Sequence, residues 1–186
     1  MAWQPAHQLK QWLLAGRKRR IVLGLFLGIT AGGFLVPERL RIPVQGAGTR
    51  DWNHQTFWYS PWGASGVHKG IDIFAPKGRR VISAVDGLVI SKQYGGLGGR
   101  TVVVLGPKWR LHYYAHMDTV SVSRGQWLHA GEPLGTVGTT GNALGKPPHL
   151  HYTIFSTIPY PWRLRFGTQG WKKMFYLNPH QMLVRL

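Results

Sequence analysis

RVISAVDGLVISKQYGGLGGRTVVVL, residues 80–105, sets three short runs rich in Val and Ile around two glycine-bearing breaks. β-branched side chains are stiff about χ1 and pack well on a pleated surface, and runs this short suit strands better than helices. Asp86-Gly87, between Val85 and Leu88, predicts a tight hairpin joining strands 80–85 and 88–94, because Asp-Gly accepts the positive φ angles of such turns. Gly95-Gly-Leu-Gly-Gly99 reads as a flexible turn before the run Thr101–Leu105. Outside this stretch Ile71–Phe74, Trp109–Met117 and His149–Phe155 have the same strand-like character. The breaks between runs are too short for helical crossovers, so the expectation is an all-β domain of antiparallel meanders.

The chain of 186 residues suffices for one cored domain with an appendage. Its 44% hydrophobic and 12% aromatic content excludes a disordered chain, and a formal charge of +17 demands an anionic partner. At the N-terminus Arg17-Lys-Arg-Arg20 precedes an uncharged run, Ile21–Val36, which reads as a membrane-targeting segment. Sixteen residues of helix extend about 24 Å against a hydrocarbon core of roughly 30 Å, so spanning needs thinned lipid or snorkelling flanks. The preferred reading is an uncleaved signal anchor, with a signal peptide cut after Gly33 as the alternative. Positive charge ahead of the run keeps residues 1–20 in the cytoplasm and sends everything after Pro37 outward. The expected organisation is a basic segment 1–20, a hydrophobic helix 21–36, a linker 37–57 and a folded domain 58–186. That exported portion is itself basic, at about +12.

Chemistry concentrates in three phrases, His68-Lys-Gly-Ile-Asp72, Tyr114-Ala-His116 and His149-Leu-His151. Imidazole nitrogen and carboxylate oxygen are good zinc donors, and a catalytic zinc needs three protein ligands and one open position. His68, Asp72 and one of the paired histidines can supply the three. Absence of cysteine excludes a thiolate site, and Asp72 is one of only six acidic residues. On a strand, His149 and His151 share one face with Leu150 on the other, and by the same alternation His112, Tyr114 and His116 share a face. Gly66, Gly70 and the following Ile-Asp-Ile-Phe favour a loop entering a strand around His68 and Asp72. A serine nucleophile elbow, a cysteine nucleophile and a phosphate loop are all missing from the sequence.

These phrases, in this order, resemble the exported zinc endopeptidases of the LytM and lysostaphin type, which cut peptide crosslinks in peptidoglycan. The family's His-x-Gly-x-Asp is met at His68, Gly70 and Asp72, its Tyr-x-His at Tyr114 and His116, and its His-Leu-His at His149–His151. Similarity spans roughly 58–156, with Leu177-Asn-Pro-His180 like the family's closing segment. The resemblance implies an antiparallel β-sandwich of the lysostaphin type behind one N-terminal hydrophobic helix. It also implies one Zn2+ per chain, held by His68, Asp72 and His151. His149 is then the base, His116 stabilises the tetrahedral intermediate or shares the proton transfer, and Tyr114 is a supporting or packing residue. With no His-Glu-x-x-His present, a histidine must do the work of the missing glutamate base.

The implied substrate is peptidoglycan, at the outer face of a bacterial inner membrane, in the periplasm or beyond. A non-catalytic envelope-binding or hydrolase-activating module of the same fold is the alternative. Departures occur at Ala64, Gly145-Lys-Pro-Pro148 and Tyr152-Thr153, which touch the substrate groove but remove no ligand. Trp162, Arg163, Arg165, Trp171, Lys172 and Lys173 interleave aromatic and basic residues. On an exported domain this implies contact with anionic envelope polymers or the membrane surface rather than nucleic acid, or else tryptophans covering the sheet. His7, His54, His129 and His180 read as ordinary surface or core residues.

Overall fold

A computed structural model describes residues 5–184, with side chains from 16–184. The chain divides into two compact units, Met1–Val36 and Pro37–Leu186. In the first, helix α1 runs from Pro5 to Leu35, beginning well before the expected residue 21 and carrying the basic cluster within it. Among the described residues no helix is long and apolar enough to cross a membrane. The transmembrane expectation for 21–36 is therefore unsupported: α1 ends at Leu35, so within the helix any stretch longer than the apolar run takes in Arg20 and its neighbours.

Among the described residues the second unit has nine strands: β1 Ile71–Phe74, β2 Arg80–Ile82, β3 Gly87–Gly95, β4 Gly99–Gly106, β5 Arg110–Val120, β6 Trp127–Leu128, β7 Pro133–Val137, β8 His149–Ser156 and β9 Tyr176–Leu177. All pairings are antiparallel. The main order is β1-β8-β5-β4-β3-β6, with β2 on β7, β7 on β5 and β9 on β8. Hydrogen bonding joins the strands into one antiparallel sheet, as the all-β expectation requires. β5 makes this possible because its first part pairs with β4 and β8, while Met117–Val120 turns to pair with β7.

The expected hairpin at Val85–Leu88 does not form, since β2 pairs with β7 and β3 pairs with β4 and β6. Gly87 serves close packing instead: a Cβ there would lie 2.4 Å from the Leu105 carbonyl oxygen and 2.7 Å from Val104. Asp86 accepts the backbone N–H of Ala130, at 2.8 Å, which ties the bend to another loop. The true hairpin is β3–β4, closed across the glycine run with Gly95 opposite Gly99. Gly95, Gly96 and Gly99 all have positive φ, so the glycines are there for backbone conformation.

One face of the sheet is sealed by Ile71, Ile73, Val89, Val102, Leu150 and Ile154, all with no exposed surface. The segment 37–57, expected as a linker, belongs to this folded unit. Leu40, Val44 and Trp52 are buried in the core, and the backbone pairs with the sheet through Arg41 N–H to Ala84 O, at 2.8 Å, and Ile82 N–H to Pro43 O, at 2.9 Å. Glu38 anchors its start, paired with Arg110 in the interior beside His112. At the other end helix α2, Pro179–Leu183, is capped by Asn178, whose side chain accepts the His180 N–H at 3.0 Å. Trp52 Nε1 donates to His180 Nδ1 at 3.2 Å, joining the two ends of the unit.

Candidate metal centre

β8 lies between β1 and β5, and its register sets His151 directly opposite Asp72 on one side and Ala115 on the other. His68 stands in the loop before β1, held by a two-way backbone pairing with Trp58 and Tyr59. Gly70 lets that loop lie against β8: a Cβ there would meet the Tyr152 carbonyl oxygen at 2.3 Å and His151 at 3.0 Å. The glycine of His-x-Gly-x-Asp is therefore what allows the two ligand-bearing segments to touch.

The donors His68 Nε2, Asp72 Oδ1 and His151 Nδ1 form a tight triangle, with edges of 3.1, 2.8 and 3.1 Å. Donors about 2.0–2.1 Å from a tetrahedral ion stand roughly 3.3 Å apart, so this triangle is close to one face of a zinc site. Tautomers support the fit. His68 Nδ1 must carry the hydrogen, because its partner is the Thr56 carbonyl oxygen at 3.2 Å. Nε2 then meets the Asp72 carboxylate lone pair to lone pair, a repulsion that a cation between them removes. On His151 the outer Nε2 lies 3.0 Å from Thr153 Oγ1, which can take its hydrogen and leave Nδ1 free to ligate. Burial pushes the Asp72 carboxyl up, but His151 and His68 outweigh it and hold the group well below the usual carboxylate range. His151 is itself lowered by burial against the opposing pull of Asp72, which favours the neutral ligand form. Among the described residues His68, Asp72 and His151 are the group arranged to hold a metal ion.

His116 and His149 stand next to this triangle, their ring centroids 5.0 Å apart and His116 5.9 Å from His151. Both donate Nδ1–H to a backbone carbonyl, His116 to Thr140 at 2.9 Å and His149 to Pro147 at 2.7 Å. Each therefore has Nε2 left over, as a lone pair in the neutral ring. Burial, followed by the nearby His151, lowers His116 to about 4, so it is neutral at neutral pH.

Alternation along β8 holds, with His149, His151 and Thr153 lining the groove and Leu150, Tyr152 and Ile154 in the core. Along β5 it fails. Leu111, Tyr113, Ala115 and His116 all line the groove, while Tyr114 is buried on the opposite side. The expectation that Tyr114 and His116 share a face is corrected by a bulge. His116 has φ 63, and three steps of β5 from Met117 to Tyr114 answer two of β4 from Arg100 to Val102. One extra residue flips the side-chain phase. Tyr114 is thus a core residue, its hydroxyl accepting the Ala84 N–H at 2.9 Å. His112 is likewise internal, 2.7 Å from the Tyr152 hydroxyl.

Sequence reading missed Thr56, Thr140 and Pro147, which act through backbone carbonyls and so leave no side-chain signal. Trp62, stacked on His68 with centroids 4.2 Å apart, was missed because it lies six residues away on an irregular loop. Thr153 was findable, since it sits two residues after His151 on the same strand face. Around the centre runs an open groove of about 730 Å³, walled by Phe74 and Leu97 and by Val103, Tyr113 and Phe155, with Lys69 and Lys146 among its lining.

An antiparallel β protein with a His-Asp-His group and two spare histidines at one groove can offer a metal ion one open face beside side chains able to move protons. Residues 66–159, half of the chain, match Peptidase family M23, and the chain belongs to that family. It is 33% identical over 128 residues to an L-Ala--D-Glu endopeptidase of Bacillus subtilis, covering 60% of this chain and 39% of the relative. It is also 33% identical to the peptidoglycan DD-endopeptidase ShyC of Vibrio cholerae, over 64% of this chain and 29% of that one. A third relative, the murein hydrolase activator NlpD of Escherichia coli, is 36% identical over 50% of this chain and 24% of its own length. The chain thus spans less than two fifths of the length of these relatives. Among solved structures, a zinc-containing peptidase from Vibrio cholerae superposes with a TM-score of 0.52 at 27% identity, over 63% of this chain and 36% of that one.

Proposed function

We propose that this protein is a zinc-dependent endopeptidase hydrolysing peptide bonds in the stem peptides or crosslinks of peptidoglycan. The carrying observation is the convergence of three donors on one point with two further histidines presenting free Nε2 atoms at the same groove. His68, Asp72 and His151 would hold one zinc. Bound there, it would polarise the scissile carbonyl and bring the pKa of a water ligand down to about 7. His149 Nε2 takes the proton from the attacking water, and its Nδ1–H bond to Pro147 fixes the ring for that task. His116, neutral and weakly basic, becomes a strong acid once protonated and so suits proton return to the leaving amine or support of the oxyanion. The apolar walls exclude water, while Lys69 and Lys146 suit a peptide bearing free carboxylates. Peptidoglycan endopeptidases among the relatives support this substrate; on this reading the domain works on the envelope side of the membrane, and the basic cluster and apolar run of α1 would be its targeting element.

The activator among the relatives favours a second reading, a non-catalytic module that binds the envelope or switches on other hydrolases. An intact donor set argues against it. Zinc content and release of soluble muropeptides from purified peptidoglycan, compared for the parent, Asp72→Ala and His149→Ala, separate the two. The enzyme predicts bound zinc, cleavage lost in both variants and metal lost mainly in Asp72→Ala. Zinc bound without cleavage would select the module, and no zinc would refute the centre itself.

A further inference from the structure

The segment between β8 and β9 lies mostly beyond the matched family region, and its apolar side chains fall into two groups. Tyr160 and Phe175 are half-buried and cover the sheet, with Phe175 stacked on Phe155 at 5.7 Å. Trp162, Leu164, Phe166 and Trp171 do not: they are 73%, 47%, 100% and 55% exposed. Solvent exposure of four large apolar residues within ten positions is not a sheet cover. Single exposed hydrophobics are ordinary, but a cluster marks an interaction surface.

Interleaved with them are Arg163, Arg165, Lys172 and Lys173, and none of these pairs with an acidic side chain. The six acids of the chain are engaged elsewhere: Glu38 with Arg110, Asp72 in the metal centre, Asp86 with His129 and Asp118 with Lys77 and Arg100. Asp51 and Glu132 accept backbone N–H groups of Gly48 and His129. Arg163, Arg165 and Lys173 instead line a cleft of about 230 Å³ with Phe57, Asn178 and Gln181. Burial and mutual repulsion lower both Arg163 and Lys173, the expected signature of cations crowded without a counter-ion. The guanidinium of Arg163 donates to the carbonyls of Lys173 and Tyr176, so the cleft is held in shape by the backbone around it.

We infer that the loop 162–173 docks on an anionic lipid bilayer, with Trp162, Leu164, Phe166 and Trp171 entering the interface and the Arg163–Arg165–Lys173 cleft taking a phospholipid headgroup phosphate. Aromatic residues favour the headgroup level, and basic residues gain from the negative surface potential of anionic leaflets. A polymer of wall phosphates or carboxylates would satisfy the cations but would leave a fully exposed phenylalanine and two tryptophans in water. The same loop touches the metal-site approach: Gln169 Nε2 donates to Ser65 O at 3.0 Å, and Trp58 Nε1 to Thr168 O at 3.3 Å. Docking would therefore set the groove mouth close to the membrane surface. The inference is independent of hydrolysis.

The test uses the full chain, which contains no cysteine. Phe166→Cys, carrying a nitroxide, gives one reporter at a position whose side chain packs on nothing. Bound to vesicles of phosphatidylcholine and phosphatidylglycerol in equal parts, the label should become accessible to oxygen and shielded from a water-soluble nickel complex. On phosphatidylcholine alone it should stay in water, and so should the same label at Trp127→Cys, on the opposite side of the sheet order. Adding Arg165→Gln and Lys172→Gln should weaken immersion of the label roughly thirtyfold, about fivefold per cation. A label that stays in water on the anionic vesicles, immersion equal on both lipids, or equal immersion of the Trp127 site would each overturn the inference. Immobilisation by anionic wall polymer with no immersion in vesicles would overturn it in favour of the polymer.

Discussion

Thr153→Val tests the tautomer logic of the metal centre with almost no change of shape. Thr153 is 5% exposed, and its Oγ1 lies 3.0 Å from His151 Nε2. Valine removes the side-chain partner of that ring nitrogen. Leaving a buried donor unpaired costs about 1–3 kcal/mol, and supporting partners of metal-ligating histidines are typically worth about 10–100-fold in metal affinity. Competition against a chromophoric chelator should therefore show zinc bound about 10–100-fold more weakly by Thr153→Val. Thr153→Ser, which retains the hydroxyl, should stay near the parent. The reasoning is refuted if the valine variant binds zinc as the parent does, or if serine loses as much as valine.

Gly87→Ala should destabilise the domain by about 1–3 kcal/mol in urea unfolding, because its Cβ has no room against Leu105 and Val104. A hairpin-turn glycine there would instead tolerate Asn. Glu38→Ala should cost about 3–5 kcal/mol by leaving Arg110 charged and unpaired in the interior, read as a lowered unfolding midpoint. For His116, the folded value of about 4 lies below the unfolded 6.5, so the unfolded chain takes up the proton first. Its contribution to stability is present above about 6.5 and declines as pH falls toward 4; in metal-free protein, His116→Gln should flatten that part of the stability profile.

Much of the fold was legible because side-chain type reports locally on backbone state. The runs 71–74, 88–94, 101–105 and 149–155 appear as strands with nearly the same bounds. Where the reading failed, the deciding contact was remote. Asp86-Gly87 has turn chemistry, yet Gly87 is needed against Leu105 and Asp86 is taken by Ala130. Residues 37–57 look like a linker, but Leu40, Val44 and Trp52 fill core space that the short strands leave open. Very short strands such as Trp127–Leu128 carry too few residues to show any period.

For the site, the sequence by itself determined which residues can bind and which can move protons: His68, Asp72, His116, His149 and His151 are chemically distinctive, and the alternation along 149–153 needs nothing beyond strand geometry. Only the tertiary structure decided how they meet. Pairing of β8 with both β1 and β5 brings positions far apart in the chain to adjacent places, and a one-residue bulge turns His116 out of the core while leaving Tyr114 in it. The groups that orient the rings are largely backbone carbonyls, of Thr56, Thr140 and Pro147. Every residue carries such a carbonyl, so its role comes from where the fold puts it and not from which amino acid bears it.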